Sequence, residues 1–197
     1  MIRAYFNQKA ASWDETSSER DTTRLERMAK RLDIKPGSIV LDVGTGTGVF
    51  IPFLLCEIGK GGRIIALDFA GKMLRRARAR GFNGNIDYLC AEVTNIPLRN
   101  EIFDIIVCYS SFPHFPDKSR ALAEMNRVIK RGGRLLICHT SSRASINGIH
   151  CQIPAVENDI IPDEGEMQII LLRAGFIEIK IDDSESYLAS ARKPKQS

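Results

Sequence analysis

Val40-Leu41-Asp42-Val43-Gly44-Thr45-Gly46-Thr47-Gly48 decides the fold. The apolar, β-branched run from Ser38 to Val43 breaks into alternating glycines. Val49 to Ile58 then reads as a helix, ended by Gly59 through Gly62. A strand, a glycine turn and a helix in that order open a parallel crossover. Gly44 and Gly46 let the backbone turn tightly and approach a ligand with no Cβ in the way. Gly48 permits close helix–strand packing, and the helix N-terminus is expected to offer free N–H groups. The spacing is G-x-G-x-G, whereas dinucleotide enzymes use G-x-G-x-x-G, and Val49 stands where their last glycine would be. Asp42, just before the turn, suits a cationic ligand better than a pyrophosphate.

The same alternation continues downstream. Strands are expected at 63–68, 86–90, 103–109, 134–139, 176–181 and 186–191. Helices are expected at Lys72–Arg80, Lys118–Ile129 and Asp163–Ala174, with Gly132-Gly133 separating helix from strand. The first five strands are apolar throughout, the mark of strands buried on both faces of a parallel sheet. The last two share only a short turn at Asp182-Asp183-Ser184 and should pair antiparallel. The reading is α/β: a single doubly wound domain over 38–197, mostly parallel and seven-stranded, with an antiparallel last strand and helices on both faces. Residues 1–37 form a helical extension, where Leu25, Met28, Ala29 and Leu32 make an apolar stripe. Residues 140–162 carry no clear period and are a candidate lid over an acceptor.

Two further acids extend the glycine turn into a site. Asp68 ends the second strand and can accept two hydrogen bonds from a ribose diol. Glu92 follows the third strand and can take an exocyclic amine. Three acids at consecutive strand ends, beside one glycine turn, describe an adenosine site with an ammonium at one end. Taken singly, Asp68 reads as a helix N-cap and Glu92 as a solvated loop acid.

Composition sets the outer limits. The chain has 197 residues, 44% apolar and 26% charged, which excludes a disordered or fibrous protein. Its 28 Lys and Arg against 24 Asp and Glu leave a net charge of +4, too small to indicate nucleic acid. Lys72, Arg75, Arg76, Arg78 and Arg80 read as the wet face of a helix. No apolar run reaches the ~18 residues of a membrane span, and the first residues lack a signal-peptide core. The five cysteines read as reduced thiols, so a cytoplasmic protein is expected; it is expected as a monomer or homodimer.

These motifs resemble the class I S-adenosylmethionine-dependent methyltransferases of the ubiquinone/menaquinone-biosynthesis (methyltransferase type 11) kind. The resemblance rests on 40–48, on Ala66-Leu67-Asp68-Phe69 through Leu74, and on Ala91-Glu92-Val93 through Leu98. It extends to Phe103-Asp104, Ser110 through Asp117, Glu124, Arg127 through Gly133, and Ala174-Gly175-Phe176. Phe6-Asn7, Ala10 and Trp13-Asp14 resemble the helix that covers the cofactor. The resemblance implies a Rossmann-like fold, S-adenosyl-L-methionine as donor and S-adenosyl-L-homocysteine as product. It places Asp42 under the methionine amine, and Gly44, Thr45 and Gly46 along methionine and ribose. Asp68 would hold the ribose hydroxyls, Phe69 and Met73 would pack on adenine, and Glu92 and Val93 would read its edge. Met73 reads equally well as helix core. Ser110 would lie near the methionine end. The family usually carries Asp where Glu92 stands.

On the acceptor side, in-line methyl transfer needs positioning, plus a base when the nucleophile loses a proton. His114 and His139 are the candidate bases or acceptor-orienting groups, and Tyr109 and His150 complete the expected acceptor face. Arg143, Asn147 and His150 fall at helical spacing and would present one polar face to an acceptor. Cys138-His139 and His150-Cys151 form a mirrored pair that a soft metalloid or a thiol acceptor would suit, but no short zinc-type spacing is present. No resident metal is expected. The enzyme reading, with a small-molecule acceptor, stands beside two others: a cofactor-binding subunit or sensor that needs a partner protein, and a nicotinamide oxidoreductase.

Overall fold

The structure is a computed structural model that describes residues 2–13 and 21–195. Asp14 lies outside the described residues. The elements are α1 (Ile2–Lys9), α2 (Thr22–Arg31), β1 (Ile39–Val43), α3 (Ile51–Ile58), β2 (Arg63–Asp68), α4 (Gly71–Ala79) and β3 (Ile86–Cys90). There follow β4 (Phe103–Tyr109), a 3₁₀ turn (Phe112–His114), α5 (Lys118–Val128) and β5 (Ile129–His139). The chain ends with α6 (Arg143–His150), α7 (Glu164–Arg173), β6 (Ile177–Asp183) and β7 (Tyr187–Arg192). Asp21, Asp117 and Asp163 each accept an N–H of the first turn and so fix where α2, α5 and α7 begin.

The seven strands form one sheet in the order β3-β2-β1-β4-β5-β7-β6. β1 pairs parallel with both β2 and β4, so the strand order reverses between β1 and β4. β7 runs antiparallel between β5 and β6. Alternate residues of β1 feed two cores. Leu41 and Val43 join Leu122 and Met125 of α5 and Met167 and Leu171 of α7 on one face. Val40 joins Leu25 and Met28 of α2 and Leu54 and Ile58 of α3 on the other. A reversal of strand order opens a crevice at the carboxyl ends of the strands, where ligands bind in such sheets.

Three local expectations change. β3 is the sheet edge and only half-buried, because β2 covers one side and no strand covers the other. Gly132-Gly133 does not separate helix from strand: β5 starts at Ile129 directly after α5 and runs through both glycines, with a register shift against β4. α3 begins at Ile51, two residues later than the apolar pattern suggested, since Thr45 to Phe50 are spent in successive turns. The 140–162 segment contains α6, whose residues are all at least partly exposed.

Candidate active site

A cavity of about 290 Å³ opens at the carboxyl ends of β1, β2 and β4. Its walls include Gly44, Thr45, Gly46, Asp68, Phe69, Met73, Glu92, Val93, Tyr109, Ser110 and His114, all named from the sequence. Ile2, Arg3, Phe6 and Trp13 close one side, which puts α1 against the cavity. α1 is seated by Phe6 and Ala10, packed on Ala70 and Met73, and by Asn7, whose Oδ1 accepts the Lys72 N–H at 2.9 Å.

The glycine turn is held by β2. The N–H groups of Gly44 and Thr45 both donate to Leu67 O, at 2.8 and 3.0 Å. Gly46 N–H donates to Asp68 Oδ2 at 2.8 Å, and Gly48 N–H to Thr45 O at 2.9 Å. The four amides are therefore committed within the protein, and none of them is presented to a phosphate. Gly44 has a φ of +71°, and a Cβ on it would overlap Ser111 Cβ. Ser111 is drawn in because its hydroxyl donates to Val43 O at 2.6 Å, tying the loop after β4 to the end of β1. Gly48 serves a longer-range contact than expected: a Cβ there would meet Phe82, Ala77 and Ile51 within 3.0–3.1 Å. Gly46 has a φ of +57° and its side-chain space meets nothing within 4 Å.

Two acids sit below this turn. Asp68 accepts Gly46 N–H on Oδ2 and Ala70 N–H on Oδ1, the latter at 2.7 Å. Burial pushes its carboxyl up to about 6, against the pull of the Ala70 and Gly46 amides and with help from the charge of Glu92. Asp42 is not a wall of the cavity; it lies behind Thr45, whose hydroxyl donates to it at 2.5 Å. Burial pushes Asp42 up to about 7, opposed by that hydrogen bond and reinforced by Asp68. An ionised carboxylate has about four lone-pair sites; the amides of Gly46 and Ala70 use two of those on Asp68, and the Phe69 amide adds a weaker pull. The acceptor capacity that is left fits a diol. Together with the apolar walls of Leu67, Phe69, Met73 and Val93, this chemistry fits an adenosine group, and a cationic end suits the two buried acids.

Glu92 is paired with Arg3 of α1, which also lies over the Phe69 ring at 5.7 Å. The loop that carries Glu92 and Val93 is clamped from α5. Glu124 accepts Ile96 N–H at 2.9 Å, and Arg127 donates to Ile96 O and Leu98 O at 2.8 Å.

The acceptor candidates separate. Tyr109 and His114 reach the cavity; His139 and His150 do not line it. His139 is only 2% exposed, on the core face opposite the buried Cys138, and burial pushes its imidazole down to about 3. The His150 ring lies tilted against that of His114, with centroids 4.9 Å apart. The Arg143, Asn147 and His150 side chains are engaged within the protein: the Arg143 guanidinium pairs with Asp183 at 3.5 Å, Asn147 pairs with Ile161, and His150 Nδ1 faces Asp159 O. Among the described residues no group of three or more His, Cys, Asp or Glu could hold a metal ion. Ser110 has a φ of +50°, an uncommon backbone for a non-glycine residue, and it borders the cavity.

Reading the sequence missed Arg3, Ser111 and Asp159. Ser111 had a faint signal, a second small residue after the fourth strand. Arg3 and Asp159 had none, because they meet their partners 89 and 45 residues away.

Residues 41–137 match the family described as Methyltransferase domain. The ubiquinone/menaquinone biosynthesis C-methyltransferase UbiE of Klebsiella pneumoniae subsp. pneumoniae is 30% identical over 176 residues, covering 85% of this chain and 69% of that protein. Its counterpart from Teredinibacter turnerae is 36% identical over 112 residues, covering 55% of this chain and 45% of that protein. The chain thus spans from under half to about two thirds of the length of these relatives. The crystal structure of a SAM-dependent methyltransferase from Aquifex aeolicus superposes with a TM-score of 0.74 at 25% identity, covering 94% of this chain and 97% of that one.

Proposed function

The chain belongs to the class I S-adenosylmethionine-dependent methyltransferases, on the UbiE-like side of that family, and from this premise we propose that it transfers a methyl group to a small-molecule acceptor. Bound S-adenosylmethionine supplies a methyl on a sulfonium, an electrophile open to in-line attack. Asp68 would hold the ribose hydroxyls with the acceptor capacity its backbone partners leave. Phe69, Met73 and Val93 would flank the adenine, and Glu92 would accept its amine, giving up or sharing Arg3. Gly44, Thr45 and Gly46 would line the methionine and ribose, with Asp42 behind Thr45 opposite the ammonium. α1 would cover the donor through Ile2, Arg3 and Phe6. Ser110, Tyr109 and His114 then mark the end where the acceptor enters. The UbiE relatives are named as quinone-biosynthesis C-methyltransferases, which supports a small cyclic acceptor for this chain as well.

The observation that carries this reading is the pair Gly46–Asp68. A turn whose Gly44, Thr45 and Gly46 amides are spent on β2, beside a carboxylate with acceptor capacity left, suits a diol and a cation better than a pyrophosphate. That favours methyl transfer over the nicotinamide reading. No helix among the described residues is long and apolar enough to cross a membrane. Calorimetric titration of the purified chain tests the proposal. S-adenosylmethionine should bind, and Asp68→Ala should weaken it by about 100-fold, the worth of two charge-assisted hydrogen bonds. Binding of NADH in its place would overturn the reading.

A further inference from the structure

Donor binding leaves one buried polar assembly unused. His114 lies in the 3₁₀ turn after β4, with Phe6 edge-on at 5.0 Å and His150 tilted over it at 4.9 Å. Its Nδ1 is 2.7 Å from Asp159 Oδ2. Asp159 belongs to the connection between α6 and α7, and that connection is fastened in place. Its backbone carbonyl accepts from His150 Nδ1 at 2.5 Å. Two residues on, Asn147 accepts Ile161 N–H at 2.8 Å and donates to Ile161 O at 3.0 Å. A surface ion pair would not need such fixing.

The chemistry of the pair sets its tautomer. An ionised carboxylate only accepts, so Nδ1 of His114 must carry the hydrogen. The lone pair is then on Nε2, the nitrogen left for a ligand in the cavity that His114 lines.

We infer that Asp159 is a positioning residue that holds His114 as the base at the acceptor end, for an acceptor that loses a proton on methylation. The inference rests on the methyl-transfer reading. In the step, the acceptor's electron pair forms the new bond to the methyl carbon and the pair of the breaking S–C bond stays on sulfur. Nε2 of His114 takes the acceptor's proton, and the positive charge that leaves the sulfonium ends on the imidazolium. Asp159 faces that charge through Nδ1–H. A thiolate acceptor, already deprotonated, would need none of this.

The surroundings keep the base free at neutral pH. Burial, His150 of α6 and Lys118 of α5 all disfavour the imidazolium, Asp159 favours it, and the balance lies below the ordinary histidine range. Phe6 of α1 is neutral. His139 of β5 is close enough for His114 to depress its own protonation.

The test uses the whole chain, ¹⁵N-labelled at histidine and loaded with S-adenosylhomocysteine, with Asp159→Asn as the variant. That substitution keeps the backbone carbonyl that His150 uses. Nitrogen shifts should show His114 with its hydrogen on Nδ1 in the parent, and its titration should move to lower pH in Asp159→Asn. With catechol as protic probe, kcat should fall by about 100-fold while KM stays within twofold, and the acid limb of the kcat profile should move with the titration. Methylation of 2-mercaptoethanol at alkaline pH should be unaffected, and Asp159→Glu should restore part of the loss with catechol. A His114 hydrogen on Nε2 in the parent would overturn the inference, whether or not catechol is turned over. So would an Asp159→Asn protein with unchanged titration. Donor affinity separates the two failures. If S-adenosylmethionine does not bind the parent, the methyl-transfer reading falls; if it binds and the histidine results are negative, only the role of Asp159 falls.

Discussion

At the donor end of the cavity, contacts join neighbouring strand ends. Gly44 and Thr45 reach across to Leu67, and Gly46 reaches Asp68, 22 residues on. At the acceptor end, His114 meets Asp159 across 45 residues, and the segment that brings Asp159 in hangs on two side chains of α6. The first end is backbone geometry fixed by the sheet. The second is side-chain chemistry fixed by a loop. The two should therefore respond differently to the same kind of perturbation: the donor end should fail with the fold, and the acceptor end should fail alone.

The largest effect is expected from Gly44→Ala. The added methyl overlaps Ser111 at a φ of +71°, so either the turn or the β4 loop must shift. Overpacking and left-handed strain together should cost roughly 3 kcal/mol, read as a fall in Tm, and donor binding should vanish with it. A stable Gly44→Ala protein that binds donor normally would break the comparison.

Asn147→Ala probes the other end. Loss of both hydrogen bonds to Ile161 should release the connection by roughly 2 kcal/mol, seen as faster amide exchange around 147–161. Donor affinity should remain within twofold. A parallel loss of donor affinity would mean the two ends are one unit.

pH sharpens the contrast further. Asp42 and Asp68 are held at about 7 and about 6, above their ordinary carboxyl range. Groups raised in this way contribute stability at acid pH that is lost as pH rises through those values. The ligand-free chain should therefore lose Tm between about pH 4 and pH 7 in this respect. A cationic donor prefers the ionised acids, so its affinity should rise over the same interval, by at most about tenfold per pH unit for each group. Calorimetry at several pH values checks both signs, and proton release on donor binding near pH 6 should accompany the rise.

The smallest effect belongs to Ser110→Gly. Removing the Cβ relieves the φ of +50° and should raise stability by roughly 1 kcal/mol at most, visible as a small increase in Tm. A decrease would mean that the Ser110 side chain supports the loop.

The donor half was readable because its information is local. Strand-end acids and glycine spacing sit within a few residues of the elements that position them, and the three acids come from three adjacent parallel strands. Even there, Glu92 could be read as a strand-end acid, and it lines the cavity, while its partner Arg3, 89 residues away, gave no signal. Where a helix N-terminus with free amides was expected there is a series of turns, and the amides of Gly44, Thr45 and Gly46 are committed to β2. Periodicity reports apolar faces and says nothing about where a turn spends its N–H groups. At the acceptor end the three histidines looked equivalent. His139 follows Cys138 on β5, and alternation on a strand does predict opposite faces for the two. It does not tell which face is roofed, and α6 with its connection roofs the one that holds His139.

The chain's alternation of apolar strands and amphipathic helices, its glycine turn and its strand-end acids determined the doubly wound sheet and the donor rim, because each depends on contacts between elements whose order the sequence spells out. Only the tertiary structure decided which histidine reaches the cavity, that α1 closes one side of it with Arg3, and that Asp159 lies against His114. Those contacts join residues with no shared period or motif, and they exist only once packing has fixed the loop between α6 and α7.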